Sequence, residues 1–212
     1  MGPLQRGLSP QMGAEILREA LKLGINFIDT AELYETYDHI RYALRDFEGD
    51  YPVVITTKSY AYSREGMQRS LERALIEMDL DCIPIFMLHE QESSHTLRGH
   101  WPALEVLWEA KKEGLVQAVG ISTHYVEAVL AASAIPEIDV ISPLINKTGI
   151  GIQGGTREDM SRAIEEAARC KKGIVAVKPL GGGHLLADWS SSLDFLLDQP
   201  AVDSIAVGMK TL

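Results

Sequence analysis

The chain has 212 residues, 46% hydrophobic and 24% charged, which is typical of a globular domain that can bury one sizeable core. We therefore predict a single domain over residues 1–212. The 30 Asp and Glu residues exceed the 20 Lys and Arg residues, so the net charge of −10 argues against general attraction to nucleic acid or to an anionic membrane surface.

Short apolar runs along the chain predict seven β-strands that are buried on both faces. The helical pattern before the first run begins at Ser9-Pro10, a capping residue followed by proline, and ends at Gly24. Later helical patterns separate the remaining runs. Because strands and helices alternate, we predict a parallel sheet with right-handed crossovers. The runs cover residues 25–28, 53–55, 83–88, 118–121, 140–141, 174–177 and 204–207.

A polar residue stands at or just past the C-terminal end of each run, at intervals close to the length of one βα unit. An open sheet would spread these side chains along an edge, whereas a closed barrel would gather them on one face, where TIM barrels carry their active sites. We therefore favour an α/β fold of the TIM-type (β/α)8 class. The residues are Asp29, Lys58, His89, Ser122, Asn146, Lys178 and Lys210.

Seven strands are visible where a closed barrel needs eight. The chain begins in what reads as the loop after a first strand, and it stops directly after the last apolar run. Two interpretations follow. The sequence is a fragment that lacks the first strand and the C-terminal helices, or it is an incomplete barrel.

The densest group of candidate catalytic residues follows three consecutive predicted strands. Asp29 and Tyr34 bound the segment Asp-Thr-Ala-Glu-Leu-Tyr, Lys58 ends the next strand, and His89 ends the third. This ordered set resembles the signature of the aldo-keto reductases over roughly residues 9–125, and Gly-Ile-Ser at 120–122 is similar to the family's Gly-Val-Ser. The resemblance implies an enzyme that reduces an aldehyde or ketone to an alcohol with NAD(P)H.

The chemistry of these side chains suits that reaction, because a carbonyl oxygen must receive a proton as hydride reaches the carbon. Tyr34 could supply the proton, although the ordinary tyrosine pKa of about 10 is high for an acid near neutrality. The ammonium of Lys58 would lower that pKa, and Asp29 would keep Lys58 charged and oriented. His89 would hydrogen-bond the substrate oxygen and fix its orientation.

For the cofactor, the resemblance implies NADPH bound across the C-terminal face of the barrel, with NADH as the alternative. Glycines let backbone approach a pyrophosphate closely, and a lysine with a neighbouring hydroxyl suits the adenosine 2′-phosphate. The residues predicted to bind the cofactor are Ser122, Ser142, Asn146, Lys178, Gly181, Gly182, Gly183, Lys210 and Thr211.

Three positions depart from the family pattern. Val177 stands where an aromatic residue usually stacks on nicotinamide, Ser142 replaces a glutamine that holds the carboxamide, and Thr123 replaces a common asparagine. The segment Ala-Val-Lys-Pro-Leu-Gly-Gly-Gly is more similar to a subgroup of bacterial and archaeal members that often carry an iron–sulfur tail, and no such tail is recognisable here.

Two other functions remain open at this point. A regulatory or binding protein would keep the barrel and the nucleotide site without turnover, and an isomerase or aldolase would use Lys58 to form a Schiff base. His89-Glu90 and His95 do not have H-E-x-x-H spacing, so we predict no metal site.

The remaining side chains near the predicted strand ends have structural interpretations. For the aromatic residues Tyr60, Tyr62, Trp101 and Trp108 we favour core or helix-packing roles over a place in a substrate pocket. For Glu32, Glu35 and Asp38 we expect a solvated rim.

The cellular setting follows from features that are missing in the sequence. Cys82 and Cys170 lie far apart, which indicates neither a disulfide framework nor a zinc or iron–sulfur site. No apolar run reaches the length of a membrane span, and the N-terminus lacks the apolar core of a signal peptide. We expect a cytoplasmic protein whose partner is a small carbonyl compound, while its oligomeric state is left open.

Overall fold

A computed structural model describes residues 7–45, 47, 49, 51–209 and 211. Within these residues, helices follow or precede strands in regular alternation, as the sequence predicts. The strands are β1 Phe27–Asp29, β2 Val54–Ser59, β3 Ile83–Leu88, β4 Val116–Thr123, β5 Val140–Pro143, β6 Gly173–Val177 and β7 Ser204–Ala206. The helices are α1 Pro10–Lys22, α2 Tyr37–Arg45, α3 Arg64–Met78, α4 Ser94–Gly99, α5 Trp101–Lys112, α6 Val126–Ser133, α7 Arg157–Arg169 and α8 Trp189–Leu197.

The seven strands form one parallel sheet in the order β1 to β7, so every predicted strand is confirmed. The sheet curls until its edge strands β1 and β7 lie next to each other, which makes a nearly closed TIM-type barrel and rules out the open doubly wound sheet. No helix in the described part of the chain has the length and apolarity needed to cross a membrane.

Side chains of each strand alternate between the barrel interior and the surrounding helices. Because of this period of two, Asp29, Lys58 and His89 share the interior-facing parity of their strands and stand at the C-terminal end. Every second residue contributes to a small interior cluster, whereas the intervening residues pack against the helices in the larger core. The interior cluster contains Phe27, Val54, Ile85, Met87, Ala118, Val140 and Val175.

Two local features explain where elements begin and end. The Oγ of Ser9 accepts a hydrogen bond from the amide of Met12 at 3.3 Å and caps α1, and Gly24 follows that helix with φ 89°, as predicted. Strand β2 runs past its apolar stretch, and most of its polar side chains find partners, although Thr56 Oγ1 is buried without one among the described residues. The Thr57 hydroxyl, for example, lies 2.8 Å from the Tyr37 hydroxyl.

Candidate active site

Lys58 is buried at the C-terminal end of β2, with 2% of its surface exposed. Its Nζ donates to Asp29 Oδ2 at 2.5 Å and to the carbonyl oxygen of Thr30 at 2.8 Å. The parallel register of β1 and β2 pairs Asp29 with Thr56, which brings the carboxylate beside the lysine. A buried ammonium needs such compensation, so the pair is fixed by both charge and geometry.

Tyr34 lies in a single 3-10 turn, Glu32–Tyr34, that follows β1 and ends at Glu35 with a left-handed φ of 53°. The carboxylate of Glu32 holds this turn, since its Oε2 accepts from Ser59 Oγ at 2.7 Å and from Ser70 Oγ at 2.8 Å. The expected solvated rim is therefore wrong for Glu32. This side chain anchors the tyrosine turn to β2 and α3.

The ring centroid of Tyr34 lies 5.7 Å from Lys58 Nζ. Burial raises the pKa of Tyr34 above its ordinary value, and the charges of Asp29 and Glu90 raise it further. This net direction is opposite to the one expected from Lys58 alone, because burial has the largest effect on the pKa of the phenol. The phenol is consequently protonated at neutral pH.

The imidazole of His89 completes the group at the end of β3. It is 4% exposed, and its ring stands edge-on to the Tyr34 ring with a centroid distance of 5.8 Å. Burial lowers the pKa of His89 to about 4, and the charge of Lys58 contributes to the decrease. The ring is therefore neutral near pH 7, with one nitrogen available as a donor and the other as an acceptor.

Two residues next to His89, Tyr60 and Glu90, were not assigned to the site from the sequence. The Tyr60 ring stacks on the His89 ring at a centroid distance of 4.4 Å, and its hydroxyl donates to Glu90 Oε2 at 2.5 Å. Tyr60 is 42% exposed, so the favoured core role is wrong for this residue. Their positions in the sequence could have indicated a place in the site, because Tyr60 stands two residues after Lys58 and Glu90 directly follows His89.

Three predicted cofactor residues of β4, β5 and the following loop use their side chains to bind backbone. The Oγ of Ser122 accepts from the amide of Glu90 at 2.9 Å, and the Oγ of Ser142 donates to the carbonyl oxygen of Val175 at 3.1 Å. Asn146 Nδ2 donates to the carbonyl oxygen of Ile150 at 2.9 Å. All three are buried, so in this structure they shape the end of the barrel.

Of the predicted cofactor residues after β6, Lys178, Gly182 and Gly183 are exposed and Gly181 is buried. Lys178 is exposed and has a left-handed φ of 57°, which is uncommon for a residue with a side chain. The triple glycine Gly181–Gly183 forms a 3-10 turn with φ values of 56°, 67° and 107°, a conformation open to glycine alone at low cost. An exposed cation beside such a turn fits an anionic phosphate group.

The charge of Lys178 reaches the C-terminal end of the barrel. Burial lowers the pKa of His124 and Lys178 lowers it further. Burial raises the pKa of Glu90, but the hydrogen bond from Tyr60 and smaller contributions, Lys178 among them, bring it below its ordinary value. Thr211 is exposed near the end of the chain, and Lys210 lies outside the described residues. In the described ranges, His, Cys, Asp and Glu side chains form no group of three or more that could hold a metal ion.

A sequence profile of the aldo/keto reductase family matches residues 2–211. The chain belongs to the aldo-keto reductase family. An uncharacterised oxidoreductase of Bacillus subtilis, YqkF, is 24% identical over 98% of this chain and 81% of that protein. Pyridoxine 4-dehydrogenase of Escherichia coli is 31% identical over a segment that covers 58% of this chain but only 48% of the enzyme.

Solved structures of aldo-keto reductases share the barrel. A Pseudomonas aeruginosa protein assigned to the family superposes with a TM-score of 0.78 at 27% identity, covering 97% of this chain and 79% of that one. The holo form of a Bacillus halodurans aldo-keto reductase superposes with a TM-score of 0.75 at 19% identity, covering 97% of this chain and 78% of that one, and supports the fold alone. As an aldo-keto reductase, the chain is an oxidoreductase, and its four candidate catalytic residues lie together at one end of the barrel.

Proposed function

We propose that this chain reduces the carbonyl group of a small aldehyde or ketone to an alcohol, with Tyr34 as the proton donor. The observation that carries the proposal is the buried Lys58–Asp29 pair, which lies beside Tyr34 while His89 approaches the same ring edge-on. Relatives named glyoxal reductase and methylglyoxal reductase agree with a small carbonyl substrate.

Each side chain has a separate task in this proposal. Tyr34 holds its proton at neutral pH and passes it to the carbonyl oxygen as negative charge develops there. The ammonium of Lys58 stabilises the phenolate that remains, and Asp29 keeps the ammonium in place. His89, which is neutral, donates a hydrogen bond that orients the substrate oxygen.

A nicotinamide dinucleotide, NADPH in the first instance and NADH as the alternative, would supply hydride to the carbonyl carbon when bound. Lys178 and the turn Gly181–Gly183 would hold its phosphates, because the cation and the backbone of Gly182 and Gly183 are exposed there. Lys210 and Thr211 would extend this phosphate contact. Ser122, Ser142 and Asn146 would act mainly by shaping the nicotinamide end, given their backbone hydrogen bonds.

The setting we propose for this reaction is the reducing cytoplasm. The two cysteines, Cys82 and Cys170, are free thiols in the structure. A reducing compartment keeps such thiols unpaired.

The decisive experiment compares wild type with Tyr34→Phe, which removes only the proton donor. We expect kcat for NADPH-dependent reduction of a panel of aldehydes and ketones to fall about 10²- to 10⁴-fold. The dissociation constant for NADPH, measured by fluorescence titration, should stay unchanged. Tyr62→Phe is the matched control, since Tyr62 is 68% exposed and should tolerate the same change without effect.

Other results would redirect the proposal. NADPH binding without turnover of any carbonyl in wild type would favour the regulatory or binding barrel. Covalent trapping of a substrate on Lys58 by borohydride would favour the Schiff-base alternative. Equal kcat values for wild type and Tyr34→Phe would remove Tyr34 from the mechanism.

A further inference from the structure

The His89 ring differs from most functional histidines, which are oriented by a hydrogen bond to one ring nitrogen. Its Nδ1 is buried and has no hydrogen-bond partner in the described part of the chain. The ring position is instead bounded by two aromatic rings. Tyr60 stacks on it with an interplanar angle of 23°, and Tyr34 meets it edge-on at 78°.

Tyr60 is in turn held by Glu90. The Tyr60 hydroxyl donates to Glu90 Oε2 at 2.5 Å, a short charge-assisted hydrogen bond. The Glu90 backbone has a left-handed φ of 48°, and its amide donates to Ser122 Oγ at 2.9 Å. Such a backbone conformation costs free energy and persists only where its surroundings impose it.

We propose that Tyr60 and Glu90 are positioning residues that set the ring orientation of His89 by stacking. Glu90 fixes the Tyr60 ring, and Tyr60 prevents the imidazole from rotating away from Tyr34. Stacking on Tyr60 thus orients the His89 ring in place of the hydrogen bond at Nδ1 that orients a histidine in other sites. This inference rests on the proposed function, because an oriented His89 matters when a substrate oxygen has to be held.

The charged groups around His89 give the inference a signature that is independent of turnover. Burial is the largest cause of the lowered pKa of His89, Lys58 and His124 lower it further, and Glu90 and Asp29 oppose the decrease. The carboxylate of Glu90 also lies 3.8 Å from His124 Nε2. Removing the Glu90 carboxylate should therefore lower the pKa of His89, whereas opening the stack to water should raise it.

The test uses three variants of the full chain, each measured in two ways. Glu90→Gln and Tyr60→Phe break the hydroxyl–carboxylate bond, and Tyr60→Ala removes the stack. NMR titration of the His89 ring should give a lower pKa in Glu90→Gln and, because water gains access, a pKa closer to 6.5 in Tyr60→Ala. The controls are Glu92→Gln and Tyr62→Phe, which make the same changes at exposed neighbours.

The kinetic measurement separates positioning from general disturbance. We expect kcat/KM for the carbonyl substrate to fall about 10- to 100-fold in Tyr60→Ala and less in Tyr60→Phe and Glu90→Gln, because displacement by about 1 Å has costs of this size. The dissociation constant for NADPH should be unchanged in all three.

Specific results overturn the inference. It is wrong if the His89 titration and kcat/KM in Tyr60→Phe and Glu90→Gln match the controls, or if NADPH affinity falls in parallel with kcat/KM. Should Tyr60→Ala fail to fold, the other two variants decide. If wild type reduces no carbonyl but Tyr60→Ala raises the pKa of His89 toward 6.5, the proposed function fails while the enclosure of the His89 ring by Tyr60 stands.

Discussion

The state of His89 is decided by its neighbours. An ordinary histidine has a pKa of about 6.5 and changes charge near physiological pH. Here the ring is enclosed at the end of β3, and burial together with Lys58 lowers its pKa to about 4. The same surroundings that keep the imidazole neutral make its protonation unfavourable for the folded protein.

This residue predicts a pH dependence of stability. The unfolded chain binds the proton more tightly than the folded protein, so the free energy of unfolding should fall as the pH drops from 6.5 to about 4. The contribution of His89 is about 3 kcal/mol over this window, since each tenfold change in proton affinity is worth about 1.4 kcal/mol. Urea unfolding at several pH values would measure it.

His89→Gln is the comparison for this prediction, because it removes the titrating ring and leaves other buried histidines, such as His39, in place. The variant should lose less stability than wild type over the same pH range. Parallel curves for the two proteins would show that His89 does not titrate with a lowered pKa.

At the scale of elements, the side chain of Lys172 connects the start of β6 to the loop between α6 and β5. It precedes β6, is 7% exposed, and its Nζ donates to the carbonyl oxygens of Ile135 at 2.6 Å and Ile138 at 2.7 Å. Both carbonyls lie in the loop between α6 and β5. The ammonium is the partner of the buried Ile138 carbonyl, whereas the Ile135 carbonyl also accepts from the amide of Ile138 at 3.2 Å.

We expect Lys172→Met to lower the free energy of unfolding by about 1–3 kcal/mol, since the buried Ile138 carbonyl loses its donor. Urea denaturation with a constant m-value would measure the loss. Lys171→Met is the matched control because Lys171 is exposed and has the same residue type one position earlier. Equal losses in both variants would assign the effect to charge or helix termination and not to the loop carbonyls.

At the scale of the whole molecule, the barrel depends on close contact between strands in its interior. Gly120 of β4 pairs with Val140 of β5, and a Cβ on Gly120 would come within 2.4 Å of the Val140 carbonyl oxygen and 3.1 Å of Met87 Cγ. The contact joins three neighbouring strands, β3, β4 and β5. The absence of a side chain at this position lets the sheet curl as tightly as it does.

Gly120→Ala should therefore cost about 1–3 kcal/mol of stability or more, because the backbone carbonyl on one side cannot move aside cheaply. Thermal unfolding followed by circular dichroism would detect the loss. Gly99→Ala, where a Cβ would meet nothing within 4 Å, should leave stability nearly unchanged. A Gly120→Ala protein as stable as wild type would mean that the strands have room to separate.

Much of the architecture was predictable because it depends on local patterns. Apolar runs locate all seven strands, the Ser9 cap and Gly24 bound α1, and the period of two orients Lys58 and His89 toward the interior. The order Asp29, Tyr34, Lys58, His89 follows from strand ends that a parallel barrel must bring to one face. Predicting these features requires only residues that are close in sequence and the rule that parallel strands of a barrel end on the same face.

Only the tertiary structure revealed the contacts and pKa values that depend on residues distant in sequence. It alone shows that Glu32 anchors the Tyr34 turn, that Tyr60 stacks on His89, and that burial raises the pKa of Tyr34 in spite of Lys58. The burial of a side chain and the electrostatic potential at it depend on residues from several strand ends. They therefore cannot be read from the sequence around that residue. The sequence by itself determined that Asp29, Tyr34, Lys58 and His89 stand at one end of the barrel, because each lies at or after the C-terminal end of a strand of a parallel fold. The folded barrel determined how each group is charged, held and oriented, because these properties depend on distant neighbours.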